Sequence, residues 1–380
     1  MNNFSCSFLR TPALRAPLLL LTLLVLAGCH DKKGAALSPD SASAGKEKQA
    51  VPVFAQPTSG FAAHSSATVD SGGKETGVIQ GKDTDSAIPG AKKRTYLAGE
   101  DPEFAKEMGW PVKSTALLPG SILPEKRILA YYGNPLSKRM GALGEYEKGD
   151  MIRRLKAEAK RWADADPSTP VQPALHLIAV VAQSEPGKAG KYRMIMPDEI
   201  VNKVYGWARE ANCIMFIDIQ TGHEDIRTLL PRFEWILKNP YVHLGIDPEF
   251  NLVASKKIPG TKVGTFDASE INYVSGYLKD LVKKYRLPPK VLTVHRFTRK
   301  GVTNYRKIEL RPEVQLVMHM DGWGGPHLKR ASYKDYIVTE PVQFSGFKLF
   351  YHNDTKKGDP LMTAKDVLRL HPKPVYIMYQ

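Results

Sequence analysis

The sequence predicts an α/β protein built as a (β/α)8 barrel of the TIM type, preceded by a lipoprotein signal and a disordered tether. Two observations over residues 126–380 predict the barrel: eight short apolar runs, and helical patterns in the stretches between them. Eight strands with crossovers in about 255 residues fit the usual size of this fold. The rival is an open doubly wound sheet, but no Gly-x-Gly-x-x-Gly follows the first run, and the strand count favours closure.

The predicted strands are short and almost continuously apolar, as is typical of parallel strands covered on both faces. They are the runs 128–132, 174–181, 213–217, 242–246, 291–294, 314–318, 347–350 and 375–378.

Two helices between these runs have clear sequence signals. Apolar residues at helical spacing over 151–162 are followed by the breaker Asp166-Pro167. Asp267 and Glu270 have the spacing of a capping box before a second apolar stripe, which the prolines at 288–289 end.

Residues 1–28 have the features of a bacterial lipoprotein signal peptide. Arg10 and Arg15 give a positive start, and the apolar run 18–26 is too short to span a bilayer. Leu26-Ala-Gly-Cys29 resembles the lipobox, which implies cleavage before Cys29 and attachment of lipid to it. Two or three acyl chains give stable membrane anchoring. His30 after the cysteine favours the outer membrane by analogy with lipoprotein sorting, whereas the alternative is a simple secretory signal.

The segment 29–95 is rich in Ser, Ala, Gly, Lys and Asp and has few large apolar residues. It cannot bury enough surface to offset its ordering entropy, so we expect a disordered tether. The prolines of 96–125 indicate an irregular lead-in to the barrel over 126–380. After loss of Cys6 with the signal and lipidation of Cys29, only Cys213 remains, and its apolar neighbours predict a buried, inert thiol.

The net charge of the chain is +15, and about +12 of it belongs to residues 101–380, because residues 30–100 hold nine Lys/Arg against eight Asp/Glu and the signal holds two Arg. A basic domain favours anionic partners, in an envelope phosphorylated glycolipids, peptidoglycan carboxylates or acidic polysaccharides. The chain has no nucleic-acid-binding motif. We expect a monomer with no cofactor, bound to a membrane only through Cys29.

Polar residues follow the predicted strands at their carboxyl ends, where barrels of this kind carry their sites. The candidates at the ends of the third to seventh strands are Asp218, Gln220, Asp247, Glu249, His295, His319, Asp321, His352 and Asp354. Because alternate residues of a strand share a face, the members two residues apart are expected to point to the same side. Lys348, within an apolar run, is expected to enter the lumen and neutralise a carboxylate.

Asp247-x-Glu249 supplies the two groups that glycosidic cleavage needs: a protonated acid for the leaving oxygen and a group that stabilises or attacks the oxocarbenium-like centre. Crowding would raise the pKa of one carboxyl group and keep it protonated. The motif resembles the Asp-x-Glu on the fourth strand of family 18 and family 25 glycoside hydrolases. That resemblance implies Glu249 as the acid and Asp247 as the group assisting the N-acetyl oxygen, with Asp218 and Asp321 as competitors for the second role.

Tyr131, Tyr132 and Trp323 are candidate sugar-stacking residues near the strand ends. A second resemblance covers roughly 126–330, through the segments 131–135, 218–220, 245–250, 294–298 and 320–324. These are similar to a family of exported bacterial (β/α)8-barrel lipoproteins, which implies the barrel and the strand-end site but no particular activity.

Three functions remain open from the sequence. The leading one is an envelope-anchored glycoside hydrolase acting on a cell-envelope or extracellular polysaccharide, without a metal. The second is a metal-dependent hydrolase that uses His295, His319, His352 and nearby aspartates as ligands. The third is a glycan-binding lipoprotein without catalysis.

Overall fold

The structure is a computed structural model that describes residues 95–113 and 115–380. The predicted signal peptide, Cys29 and nearly all of the predicted tether lie outside these residues. Along the part of the chain that is described, no helix has the length and apolar character needed to cross a membrane.

Eight parallel strands close into a barrel. They are β1 (Arg127–Gly133), β2 (Val171–Ala182), β3 (Ile214–Ile219), β4 (Val242–Ile246), β5 (Lys290–Arg296), β6 (Val314–Met320), β7 (Phe344–Leu349) and β8 (Tyr376–Tyr379). Each strand pairs in parallel with the next, and β8 pairs with β1 to complete the ring. Every predicted apolar run overlaps one of these strands, so the predicted barrel is confirmed.

One helix, α1, precedes the barrel, and helices occupy most of the crossovers between its strands. They are α1 (Pro102–Glu107), α2 (Gly141–Glu145), α3 (Lys148–Ala165), α4 (Asp198–Glu210), α5 (Ile226–Leu229), α6 (Glu234–Leu237), α7 (Ala268–Tyr285), α8 (Pro326–Tyr333) and α9 (Ala364–Val367). The β5–β6 crossover consists instead of two 3-10 turns, Arg299–Gly301 and Tyr305–Lys307, and of a short strand, Val302–Thr303, paired with Phe266–Asp267. A further short strand, Arg193–Ile195, pairs antiparallel with β2.

The two helices with clear sequence signals form as predicted. α3 buries Met151, Leu155, Ala159 and Trp162 and ends before Asp166. α7 begins with the complete Asp267–Glu270 capping box, in which each side chain accepts a hydrogen bond from the other residue's backbone N–H.

The barrel lumen is aromatic and polar rather than aliphatic. His176, Phe216 and Tyr376 pack ring against ring with centroids 5.0–6.3 Å apart. Two strand glycines leave the space that the neighbouring rings need. A Cβ on Gly245 would lie 2.5 Å from His176 Nε2, and one on Gly346 would lie 2.4 Å from His319 Cδ2.

Cys213 precedes β3 and is buried, as predicted. Burial raises the pKa of its thiol to about 11, so it stays protonated and inert at neutral pH.

Candidate active site

A pocket lies at the carboxyl end of the barrel, and we call it the pit. Its lining includes six of the predicted residues, namely Tyr132, Gln220, Asp247, Glu249, Trp323 and Lys348. They come from the ends of five different strands, so closure of the barrel brings together side chains that are up to 216 positions apart.

Asp247 and Glu249 are the two carboxylates of the pit, and a 3-10 turn holds them together. The turn Pro248–Phe250 follows β4, and Asp247 Oδ1 caps it by accepting a hydrogen bond from the Glu249 backbone N–H at 3.1 Å. Gln220 Nε2 donates to Asp247 Oδ2 at 3.3 Å. The shared orientation predicted from strand alternation is therefore produced by a capped turn beyond the strand.

Five further residues form a second group, the inner cluster, defined as His176, Asp218, His295, His319 and Asp321. All are nearly or fully buried, and none of the five lines the pit. His295 joins the two aspartates: its Nε2 lies 3.5 Å from Asp218 Oδ1, and its Nδ1 lies 3.2 Å from Asp321 Oδ2.

Each aspartate of the inner cluster has a further polar partner. Lys348 Nζ lies 2.9 Å from Asp321 Oδ1, so the lysine enters the lumen and neutralises a carboxylate as the sequence predicts. Tyr132 donates a hydrogen bond to Asp218 Oδ2 at 2.8 Å. Although burial disfavours its charged form, Asp321 and Asp218 raise the pKa of His295 to about 10. His295 is therefore a cation at neutral pH, held between two carboxylates.

The two carboxyl groups of the pit, by contrast, have raised pKa values that favour their protonated forms. Burial above all, with the negative charges of Asp247 and Asp321, raises the pKa of Glu249 well above its usual value. Burial, with Asp218 and Asp321, raises the pKa of Asp247 to about 7. Near neutral pH the pit thus holds a protonated Glu249 beside an Asp247 that ionises readily.

Tyr131 and Tyr132 are consecutive residues of β1 and point to opposite sides of the strand. Tyr132 enters the pit, whereas the Tyr131 hydroxyl lies 3.0 Å from that of Tyr351 and faces a separate crevice with Tyr146 and Arg154. The expectation that both tyrosines contact a ligand at the mouth is therefore wrong for Tyr131, because neighbouring strand residues alternate in direction.

Asp354 also lies away from the pit, contrary to expectation. It accepts hydrogen bonds from the Gly324 and Phe350 backbone N–H groups, both at 2.9 Å, and pairs with Lys329 at 3.0 Å. It thus ties together the loops after β6 and β7, and so positions Trp323.

The two remaining predicted histidines both lie outside the pit. His352 is exposed in a neighbouring cavity, where its Nε2 lies 3.1 Å from the Glu145 carboxylate. His319 is deep in the lumen, where burial holds its pKa well below the usual value and keeps it neutral. Neither contributes to the pit.

Sequence reasoning missed His176 and Arg139. His176 lies inside the apolar run of β2. A single polar residue at an inward position of an apolar run was the available signal for His176, as it was for Lys348. Its Nδ1 lies 2.7 Å from the Tyr376 hydroxyl, and its Nε2 lies 3.6 Å from Asp218 Oδ1. Arg139 lines the pit from the loop after β1, a position that no strand pattern indicates.

Three sets of potential metal ligands occur among the described residues, each with atoms within 4.8 Å of one another. The set Asp247–Glu249–Asp321 already has the Lys348 ammonium as its cation. The set His295–His319–Asp321 shares His295 with the third. That third set, His176–Asp218–His295, has an Nε2, an Oδ1 and an Nε2 that all lack a hydrogen-bond partner. Its donor types suit zinc, which would have to displace the proton that His295 otherwise carries.

The comparisons with known proteins find similarity among solved structures only. No protein-family model and no curated protein sequence matches the chain. Among solved structures, the chain is similar to a ruminal GH26 endo-beta-1,4-mannanase at 11% sequence identity and a TM-score of 0.31. The match covers 73% of this chain and 65% of the mannanase, so the chain spans just under two thirds of that structure's length.

The strand order and the pit define a class of protein: a (β/α)8 barrel with a buried carboxylate pair in a pocket at the carboxyl ends of its strands. Within that class, the particular features of this chain are the capped Asp247–Glu249 turn and the histidine-bridged inner cluster behind it.

Proposed function

We propose that the protein is a glycoside hydrolase whose general acid is Glu249 and whose assisting carboxylate is Asp247. One observation carries the proposal: two buried carboxyl groups share one pit, and burial together with neighbouring negative charges raises the pKa of both, so that the pit retains a proton near neutral pH. A proton on Glu249 is available for the leaving oxygen, while ionised Asp247 stabilises positive charge at the anomeric centre.

The spacing of the carboxylates favours retention of configuration. Oxygens of Asp247 and Glu249 lie within 4.8 Å of each other. Inverting enzymes separate their carboxyl groups by about 6.5–9.5 Å to admit a water molecule, whereas retaining enzymes place them about 5–5.5 Å apart. The pit has the shorter spacing, so we expect a retained product.

Neighbouring residues support this chemistry. The Asp247 cap fixes the turn that carries Glu249, and Gln220 fixes the second oxygen of Asp247. Trp323 lines both the pit and a neighbouring cavity and offers an apolar face of the kind on which sugar rings stack.

The test is a screen of the purified chain against polysaccharides and amino-sugar glycans, alongside its Glu249→Gln variant. Loss of a general acid costs on the order of 10²–10⁴ in rate, so the variant should lose turnover while keeping the thermal unfolding temperature of the parent. Glu125→Gln, an exposed carboxylate before β1, is the matched control and should retain full activity. A Glu249→Gln variant as active as the parent would refute the assignment, and binding without turnover in the parent would indicate a glycan-binding protein.

The unpartnered atoms of His176, Asp218 and His295 favour a metal-dependent hydrolase as a second candidate. The two His Nε2 atoms lie 3.6 and 3.5 Å from Asp218 Oδ1, and ligands about 2.0–2.1 Å from a tetrahedral zinc ion are roughly 3.4 Å apart. Elemental analysis of purified protein separates the candidates: a stoichiometric metal that is lost in His176→Ala supports this one, and metal-free active protein excludes it.

We also propose that the barrel works in the cell envelope, held by lipid on Cys29. The lipobox-like residues 26–29 support this placement. Cys29→Ser should abolish lipid labelling and move the protein out of the membrane fraction, whereas Cys213→Ser, which changes a buried cysteine, should do neither. Continued membrane attachment of Cys29→Ser would refute the anchor.

A further inference from the structure

Two larger cavities adjoin the pit, and each shares lining residues with it. One, of about 440 Å³, lies between the loops after β7 and β1 and shares Arg139, Trp323 and Phe350 with the pit. The other, of about 1290 Å³, lies beside the loops after β4 and β5 and shares Phe297 with the pit. Because the pit shares lining residues with each cavity, the three spaces form one groove, with the pit between its two larger parts.

The smaller cavity, between the loops after β7 and β1, is positively charged. Lys138, Arg139 and Lys356 line it and are exposed, and none forms an ion pair with any of the described residues. Its carboxylate, Glu145, lies against His352. A ligand here meets three unpaired cations beside the ring of Trp323.

The cavity beside β4 and β5 repeats this pattern. Lys257, Lys262 and Lys300 line it, are exposed, and have no ion-pair partner in the part of the chain that the structure describes. Arg299 also lines it but is held by Glu340 at 2.8 Å. Its one lining carboxylate is Asp335, so this side of the groove also carries a net positive charge.

The pit between the cavities is small. Its volume of about 50 Å³ holds a few water molecules but no sugar ring. The reacting bond must therefore lie over the pit while the sugar units on either side of it occupy the larger cavities.

We propose that the substrate is an extended anionic glycan that crosses the groove and is bound on both sides of the bond to be cleaved. The proposal rests on the hydrolase function for the position of that bond, and on the unpaired cations of both cavities for the charge of the ligand. Exposed charges attract such a polymer at long range and fix its register. A chain bound on both sides is cut internally, so we expect long product fragments rather than single sugars.

Binding by the full chain carrying Glu249→Gln tests this without turnover. The probes are polygalacturonate, hyaluronan and a teichoic acid with sugars in its phosphodiester backbone, which separate sugar carboxylates from phosphodiesters as the anion. The control ligand is carboxyl-reduced polygalacturonate, which keeps the backbone and lacks the charge. Affinity is measured by calorimetry at low and at physiological salt.

Two double variants remove two charges each from opposite sides of the groove: Arg139→Gln with Lys356→Gln, and Lys257→Gln with Lys262→Gln. Lys126→Gln with Lys156→Gln, exposed before β1 and on α3, removes the same charge elsewhere. Each groove variant should weaken binding of the preferred anionic glycan by roughly tenfold, and the control variant should leave it unchanged.

Equal binding of the reduced polymer, binding of none of the three probes, or loss in only one groove variant would overturn the two-sided anionic groove. These outcomes are independent of catalysis. If the anionic polymer binds as expected but the parent does not cleave it, the hydrolase function fails while the ligand assignment stands.

Discussion

The pit and the inner cluster both contain buried carboxyl groups, but only those of the inner cluster lie beside a cation. In the inner cluster, Asp321 lies beside the Lys348 ammonium and the His295 ring, so its charge is balanced within 3.2 Å. In the pit, Glu249 has no cation within ion-pair distance among the described residues and faces the charge of Asp247. The comparison shows that neighbours, not residue type or burial alone, decide which buried carboxyl group is an acid.

The largest effect on this contrast should come from Lys348→Met. Removing one partner of a buried ion pair leaves an uncompensated charge and costs about 3–5 kcal/mol. We expect that loss in the free energy of unfolding, measured by urea denaturation. Adding Asp321→Asn to Lys348→Met should restore part of it, since the unpaired charge is then gone.

An exposed ion pair supplies the control for Lys348. Lys284 and Glu234 are 2.7 Å apart, with side chains 61% and 31% exposed, and Lys284→Met should cost less than about 1 kcal/mol. Equal losses for Lys348→Met and Lys284→Met would contradict the view that a buried counter-charge separates the two regions.

The next largest effect should be a dependence of folding stability on pH, caused by the raised pKa of Asp247 in the pit. The folded pKa of Asp247, about 7, lies above its ordinary value of 3.8, so between these values the folded state binds more protons than the unfolded state. The contribution of Asp247 to the free energy of unfolding must then fall as pH rises from about 4 to about 7. Chemical denaturation across this range should show a steeper decline for the parent than for Asp247→Asn, in which the amide oxygen still caps the turn.

Asp280→Asn is the matched control, because its side chain is 72% exposed on α7. It should leave the slope of stability against pH unchanged. An Asp247→Asn variant with the parent's slope would show that the pit does not hold a proton in this way.

The smallest effects should come from removing the hydroxyl groups of Tyr132 and Tyr131, and they should differ between the two residues. Tyr132→Phe removes a hydrogen bond to the buried carboxylate of Asp218, which is worth about 1.5–3 kcal/mol, and should also lower turnover because the ring lines the pit. Tyr131→Phe removes a bond between two neutral hydroxyls, worth about 0.5–1.5 kcal/mol, and should leave turnover unchanged. A greater loss of turnover in Tyr131→Phe would reverse the assignment of the two faces of β1.

Much of the architecture could be predicted because its signals are local. The apolar runs of β1 to β8 and the Asp267–Glu270 capping box need only their own residues and near neighbours to specify strand and helix. The strand-end rule then placed Asp247, Glu249 and Trp323 at the right end of the barrel, since all parallel strands end on the same side.

Only the closed barrel decided which of these residues meet, and in what charge state. The direction of Tyr131 against Tyr132, the entry of His176 into the lumen, and the loop contacts of Asp354 depend on strand phase and on partners far along the chain. The turn after β4, rather than the strand itself, brings Glu249 beside Asp247. A carboxyl group takes its pKa from burial and from charges within a few ångströms, and those distances exist only once β8 has paired with β1.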